Sequence, residues 1–452
     1  MNTVSLKSKL SYIACFALAV AVVSEPVWGQ DQKAEHPYYI LTDIGTLQGG
    51  TFSQGTSIND KGLVTVVSTA ADNAQHAALF HNGSLTDISK HLPPGTNSGA
   101  FASNIWGQVL VEAEIPAKDP NNENFCAYGT PQICRAFLWQ NGVMAQLPTL
   151  GGPNTAVGWI NNVGEAVGFA ETSVRDPECP SAPSPNGTGP QVLDFEAVIW
   201  GPRPGQIRKL TPISGDTVSM AFGVNDLGQV VGGSGRCADT LLPGPSVTPH
   251  AVLWENGNAI SMGSLGGTVN TDAFGVGTIA FSINNRGEAV GAAALPGNAT
   301  SHAFLWSKKL RHMLDLGTVP GDVYSAALGT NNEGDVIGAS FDADGNPRAY
   351  VRKAGASSTM MDLNELVPAD SPLYLLVSYS INDLGEIAGF GVDGNGDLHG
   401  FLVTPCDRDK DDSAIGEERT ERPRVILSEH AREMLRNHTR LNGLGPMYKH
   451  SQ

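Results

Sequence analysis

The chain has 452 residues and carries 45 acidic against 28 basic side chains, a net charge of −17. So acidic a chain argues against nucleic acid or an anionic membrane surface as a partner. Beyond residue 29 no apolar run is long enough for a transmembrane helix.

Residues 1–29 read as a signal peptide. Lys7 and Lys9 form the basic start, Leu10 to Val23 the apolar core, and Val27-Trp28-Gly29 the cleavage site before Gln30. Cys15 follows Ile13-Ala14 and resembles a lipobox, but hardly any apolar core precedes it. The mature chain is expected to be exported, to the periplasm or outside the cell.

Tyr38 to Gly50 looks like the last segment of a repeat whose beginning is missing. One phrase then recurs as far as residue 404. Its Asn stands at Asn59, Asn104, Asn161, Asn225, Asn284, Asn331 and Asn382, seven copies spaced roughly 45 to 65 residues apart. Five copies are close: Asn161 with Gly164, Asn225 with Gly228, Asn284 with Gly287, Asn331 with Gly334, and Asn382 with Gly385. The first copy, Asn59 to Gly62, keeps the turn but lacks a later Gly. The second, Asn104-Ile105-Trp106-Gly107, reads as shortened. Asn, Asp and Gly tolerate positive φ, so the phrase is a tight hairpin turn. The runs that follow, such as Val230-Val231-Gly232-Gly233, do not alternate, as suits strands buried on both faces. A third segment carries the aromatic weight, as in Ala303-Phe304-Leu305-Trp306, and a fourth is short, as in Leu314-Asp315-Leu316.

Four short strands per copy describe a propeller blade. The expected fold is all-β, a seven-bladed β-propeller over residues 38–404. The last copy lacks a fourth strand and residues 38–50 supply one, so the N-terminal strand is expected to close the ring. A linear solenoid would need two distinct caps instead.

Ile283-Asn284-Asn285-Arg286-Gly287-Glu288, then His302-Ala303-Phe304-Leu305-Trp306, then Met313-Leu314-Asp315-Leu316-Gly317 resemble the bacterial HAF repeat family. The resemblance covers roughly residues 38–404. It implies the repeat fold and an extracellular address, and no activity.

The connections between second and third strands at 115–133 and 171–192 read as surface excursions. They hold Cys126 and Cys179, and Cys134 directly follows the first. Cys126 and Cys134 could close one insertion. Cys179 and Cys237 occupy equivalent connections of successive copies, and Cys406 is left over. Export permits disulfides, but sequence does not fix their connectivity.

No linear catalytic motif is present. His76, His250, His302 and His399 recur at the start of third strands, well apart, where hydrogen bonding at the strand end is the expected role. Asp342, Asp344 and Asn346, and likewise Asp393, Asn395 and Asp397, alternate as calcium ligands do. Both sets lack the Gly and the distant Glu of a full loop. A hairpin is the expected reading, with side chains turned outward and Gly345, Gly394 and Gly396 taking the unusual backbone angles. No catalytic residue, cofactor or metal is assigned.

The tail, residues 405–452, is dense in charge. Cys406 to Arg424 reads as disordered. Ser428 can cap a short helix over 428–441 with Ala431, Met434, Leu435 and His438 on one face. It reads as solvated or loosely docked, with a docking or sorting element as the rival. The expected function is a non-enzymatic exported protein that binds a protein or glycan. One rival is a propeller hydrolase or lyase acting on polysaccharide or peptide. The other is a surface protein that self-associates through its tail.

Overall fold

Seven antiparallel sheets of four strands each form a ring, a seven-bladed β-propeller. The structure, a computed structural model, describes residues 38–92, 95–179, 188–239, 250–267, 277–298, 300–355, 358–406 and 423–438. The signal-peptide reading and residues 407–422 of the segment read as disordered, Cys406 to Arg424, fall outside these residues; Arg424 itself is ordered in ion pairs with Asp322 and Asp342.

Blade I runs outward from the axis as Ser53–Ile58, Val64–Thr69, Gln75–His81 and Ser84–Asp87. Blades II to VI repeat the order, with inner strands Ser98–Ser103, Gly151–Ile160, Val218–Val224, Thr278–Ile283 and Tyr324–Thr330. Blade VII has Tyr374–Ile381, Ile387–Val392 and Leu398–Pro405. Its outer strand is Tyr39–Gly45, paired antiparallel with Tyr39 opposite Pro405 and Leu41 opposite Val403. The N-terminal strand thus closes the ring, as expected.

The second strands of blades I, IV, VI and VII are buried along their whole length, as in Val230–Gly235 and Ile387–Val392, and those of blades II and III over their first six residues, which accounts for their unbroken apolar runs. The Gly inside them has a steric cause. A Cβ on Gly291 would run into the Ile279 carbonyl of the inner strand. All seven inner strands carry a bulge, and at five of them an extra residue is Phe101, Phe222, Phe281, Leu328 or Tyr379. These five side chains, from five blades, pack against one core.

The turn after each inner strand is a type I turn closed by a glycine with positive φ, as with Gly287 at 73°. The same holds at Gly62, Gly107, Gly164, Gly228, Gly334 and Gly385. The asparagines do not share that conformation; they act through their side chains. Asn225 Oδ1 accepts from the Leu227 and Gln229 amides at 3.1 and 3.0 Å. Its Nδ2 donates to the Asn284 carbonyl of the next blade at 2.9 Å. Every copy does this. Asn59 donates to Asn104, Asn104 to Asn161, Asn161 to Asn225, Asn284 to Asn331, Asn331 to Asn382, and Asn382 back to Asn59. The second copy is of full length, contrary to expectation: Gly107 N donates to the Asn104 carbonyl at 3.1 Å, as in its sisters.

A second circle lies beside the first. The amide of the residue after each Asn donates to the side chain of its counterpart in the next blade. The links run from Ile105 to Asn162, then Asp226, Asn285, Asn332, Asp383 and Asp60. Ile105 has no acceptor to offer Asp60, and there the circle is open.

The recurring histidines hold the outer strands. His76 pairs with Asp87 at 2.9 Å, His302 with Asp315 at 2.9 Å, and His399 with Asp43 of the closing strand at 3.0 Å. Each Asp also accepts an amide two residues on: Ser89, Gly317 or Gly45. His250 departs from the pattern and pairs with Asp216. Blade III reverses the charges, with Glu196 against Lys209, and blade VI uses Arg348 against Asp362.

Two outcomes are expected. Asn225→Ala removes an inter-blade bond and leaves buried groups unserved, so it should lower stability by about 3 kcal/mol. Leu227→Ala, at an exposed tip of the same turn, should change it by less than about 0.5 kcal/mol. Chemical denaturation of both variants measures this. The second concerns pH. The hydrogen bond to Asp43 raises the His399 pKa despite burial. Burial opposes ionisation of Asp43, but bonds from His399 and the Gly45 amide outweigh it and hold that carboxyl below its ordinary range. The His399 share of stability is whole below the ordinary imidazole value, about 6.5, and is lost as pH rises through the raised value. The Asp43 share is whole above the ordinary carboxylate value and is lost as pH falls. The melting-temperature gap between wild type and His399→Ala should therefore be widest near pH 5–6 and narrow toward pH 9.

Candidate functional site

The ring has two faces. The turn face carries the Asn turns. The loop face carries the connections between second and third strands.

Blades VI and VII place both suggested calcium turns on the loop face. Their side chains fold back over their own turns instead of pointing outward. Asp342 Oδ1 accepts from the Asp344 and Asn346 amides at 3.0 and 2.8 Å. Asp393 Oδ1 accepts from Asn395 and Asp397 at 2.8 and 2.9 Å. Gly345 and Gly396 take positive φ, 79° and 94°; Gly394 does not. The tail engages both turns. Arg424 pairs with Asp342 and Asp322. Arg432 Nη2 donates to Asn346 Oδ1 at 2.8 Å, and His430 meets Asp397 at 3.0 Å.

The expected tail helix runs Glu429–His438. Ser428 caps it, its Oγ accepting from the Ala431 amide at 3.1 Å. Leu427, Ala431, Met434 and Leu435 are buried in the same core as Phe52, Leu376, Phe390 and Leu398. The tail helix is therefore docked, and the solvated reading is corrected. A helix of ten residues is marginal alone; packing on the propeller supports it.

The insertions of blades II and III are not simple surface excursions. Phe125 and Cys126 are buried against Phe169 and Phe195. Disulfides join Cys126 to Cys134 and Cys179 to Cys237; Cys406 ends the closing sheet. Beneath them Asp119, Glu123 and Glu171 converge, all buried. Asn154 Nδ2 donates to all three, at 2.9, 3.4 and 2.8 Å. Burial and the neighbouring carboxylates push Glu171 well above the ordinary range. Burial raises Glu123 to about 6. Sequence reasoning missed this cluster, because its members come from different insertions. The three carboxylates are buried too deeply for a substrate to reach; the cluster locks the insertions together.

The turn face is open at the axis, where a cavity of about 120 Å³ is lined by the two circles of amides and carboxylates. Asp226 accepts from Asn162 and Asn285 of the two neighbouring blades, and Asp383 from the amide and side chain of Asn332, each through both oxygens.

One sector of this face departs from the repeat, the junction of blades I and II. Ile105 opens the second circle, and the turn tip beside it is Trp106, 62% exposed. Its indole N–H donates to the Asn162 carbonyl at 2.8 Å, which fixes the ring. Lys61 Nζ stands 5.7 Å from the ring centroid. At the loop-face end of the same junction a short 3-10 helix, Ser89–His91, follows the outer strand of blade I. Beside it a cavity of about 270 Å³ is lined by Leu63, Leu79, His81, Lys90, His91 and Trp139. In blades III and IV the corresponding Trp200 and Trp254 donate to the Pro148 and Thr211 carbonyls of the preceding link, at 2.8 and 2.6 Å. In blade II that link holds the inserted helix, and the buried Trp139 N–H has no protein acceptor. The sequence signal was Asn104-Ile105-Trp106-Gly107, a full-length turn with two changed residues.

No family model matches the chain, and no curated protein matches it. Among solved structures it resembles an oligogalacturonate lyase from Vibrio parahaemolyticus, at 10% identity and a TM-score of 0.47, over 80% of this chain and 93% of that one. It also resembles Aleuria aurantia lectin in complex with alpha-methyl-L-fucoside, at 11% identity and TM-score 0.34, over 82% and 97% of the two chains. A post-proline cleaving enzyme from Rickettsia typhi matches at 10% identity and TM-score 0.41, over 78% of this chain and 53% of that one. Likeness at this level carries no argument about activity.

Proposed function

We propose that the chain is an exported, non-enzymatic binding protein of the HAF repeat kind that takes its ligand at the junction of blades I and II. One observation carries this. In a scaffold built by repetition, this sector alone among the described residues combines an opened amide circle, a pinned and exposed Trp106, and a cavity beside the unserved Trp139 N–H. Indole faces suit the apolar face of a sugar ring, and amides and carboxylates nearby suit its hydroxyls. The ligand class that fits is a glycan. Two disulfides support export to an oxidising compartment.

The test is a glycan array followed by fluorescence titration of the mature protein with whichever glycan it captures. Trp106→Ala should weaken binding about tenfold, the upper end of what an aromatic face supplies, and leave the melting temperature unchanged. Mass spectrometry should recover the glycan intact. Capture independent of Trp106 overturns the site, and a shortened glycan overturns the non-enzymatic reading in favour of a hydrolase or lyase.

A further inference from the structure

The tail leaves one face and docks on the other. The third strand of blade VII, Leu398–Pro405, runs from the loop face to the turn face, and Pro405 ends against the Gly385 turn. The next residue, Cys406, donates its amide to the Tyr38 carbonyl at 3.0 Å. The tail resumes at Pro423 and seats on the loop face, held by Asp322, Asp342, Asn346 and Asp397. To reach its own seat the chain must pass the full height of a blade, roughly 25 Å for a seven- or eight-residue strand. Residues 407–422 extend to roughly 55 Å at most, so they span this with length to spare.

The polar groups of the seat keep partners without the tail. Asp322 is buried, and it keeps Arg348 as a partner at 2.9 Å when Arg424 departs. Arg348 in turn holds Asp362 at 3.1 Å. The Asp342 and Asp393 turns are satisfied by their own amides. What the tail adds is an apolar face, Leu427, Ala431, Met434 and Leu435, with arginines that complement an acidic rim.

We infer that this seat also accepts the tail of a second copy of the chain, so that copies associate head to tail with the turn face of one against the loop face of the next. In such a stack the exit of one tail faces the seat of its neighbour, and the route around the blade is no longer needed. Leu227 and Leu384 stand exposed on the turn face, ready to be covered. The contact joins unlike surfaces and does not close on itself, so it extends into chains of copies. The seat uses other residues than the Trp106 sector; Trp106 stands at the turn position equivalent to Leu227, so a stacked copy covers it, and the tail and seat variants test the seat apart from ligand binding.

Two full-length variants test this. One carries Met434→Asp and Leu435→Asp and has a disabled tail with an intact seat. The other carries Asn346→Arg and Asp397→Arg and has an intact tail with a disabled seat. Each alone should run as a monomer in analytical ultracentrifugation. Their 1:1 mixture should double in mass, and an excess of a peptide of residues 423–441 should return it to monomer. The same peptide, labelled, should bind the first variant and not the second, which reads the seat even where the mixture is hard to interpret. A mixture that stays monomeric while the peptide binds confines the tail to its own chain and overturns the inference. A peptide that binds neither variant overturns the seat itself.

Discussion

Seven side-chain amides hold the ring together. Each Asn must accept from its own turn and donate to the next blade, and only a carboxamide does both. Aspartate would accept but could not donate, which is why the first position is Asn in all seven copies. The position after it only has to accept an amide, and there Asn162, Asn285 and Asn332 alternate freely with Asp60, Asp226 and Asp383. The two circles convert local turns into a closed network in which each blade's turn orients its neighbour's. A closed network of this kind fixes blade spacing at the turn face, where it leaves a narrow polar opening, and complements the apolar core that the inner strands share.

That scaffold separates what repeats from what departs. The charged clasps at the rim repeat in function and vary in chemistry: His with Asp, Arg with Asp, Glu with Lys. Their common task is to secure a strand of two to seven residues that has few ladder bonds of its own. The departures cluster. On the loop face they are the disulfide-tied insertions of blades II and III and the docked tail over blades VI and VII. On the turn face they are Ile105 and Trp106. Stability belongs to the shared positions, so substitutions at the departures are free to serve recognition.

Much of the fold was legible because the phrase recurs. Periodicity alone yields the blade count, and the orphan segment at Tyr38 to Gly50 yields the closure. The turn glycines were legible from type. The role of the Asn was not, because a bond between residues 45 or more apart leaves no local trace beyond identity itself. The calcium spacing at Asp342 and Asp393 was misleading for a physical reason. An Asp that folds over its own turn and a calcium ligand need the same alternation of short polar side chains. The buried acids Asp119, Glu123 and Glu171 gave no signal, since their grouping depends on how two insertions pack. The tail helix was readable from its cap and apolar face, but its seat was not.

The strand Tyr39–Gly45 also sets a timetable. It is the first described strand to be synthesised, and its partner, Leu398–Pro405, is the last. Until the final blade is made the sheet has no outer edge partner and the amide circles lack their closing links. Six blades can form as local units during synthesis, but the ring exists only once the chain is almost finished. Pairing across such a sequence distance is slow. A chain interrupted before blade VII is left with an open edge that other chains can pair with. Biogenesis of this protein thus depends on keeping its earliest strand unpaired until its last one arrives, a burden that falls on whatever handles the chain before it folds.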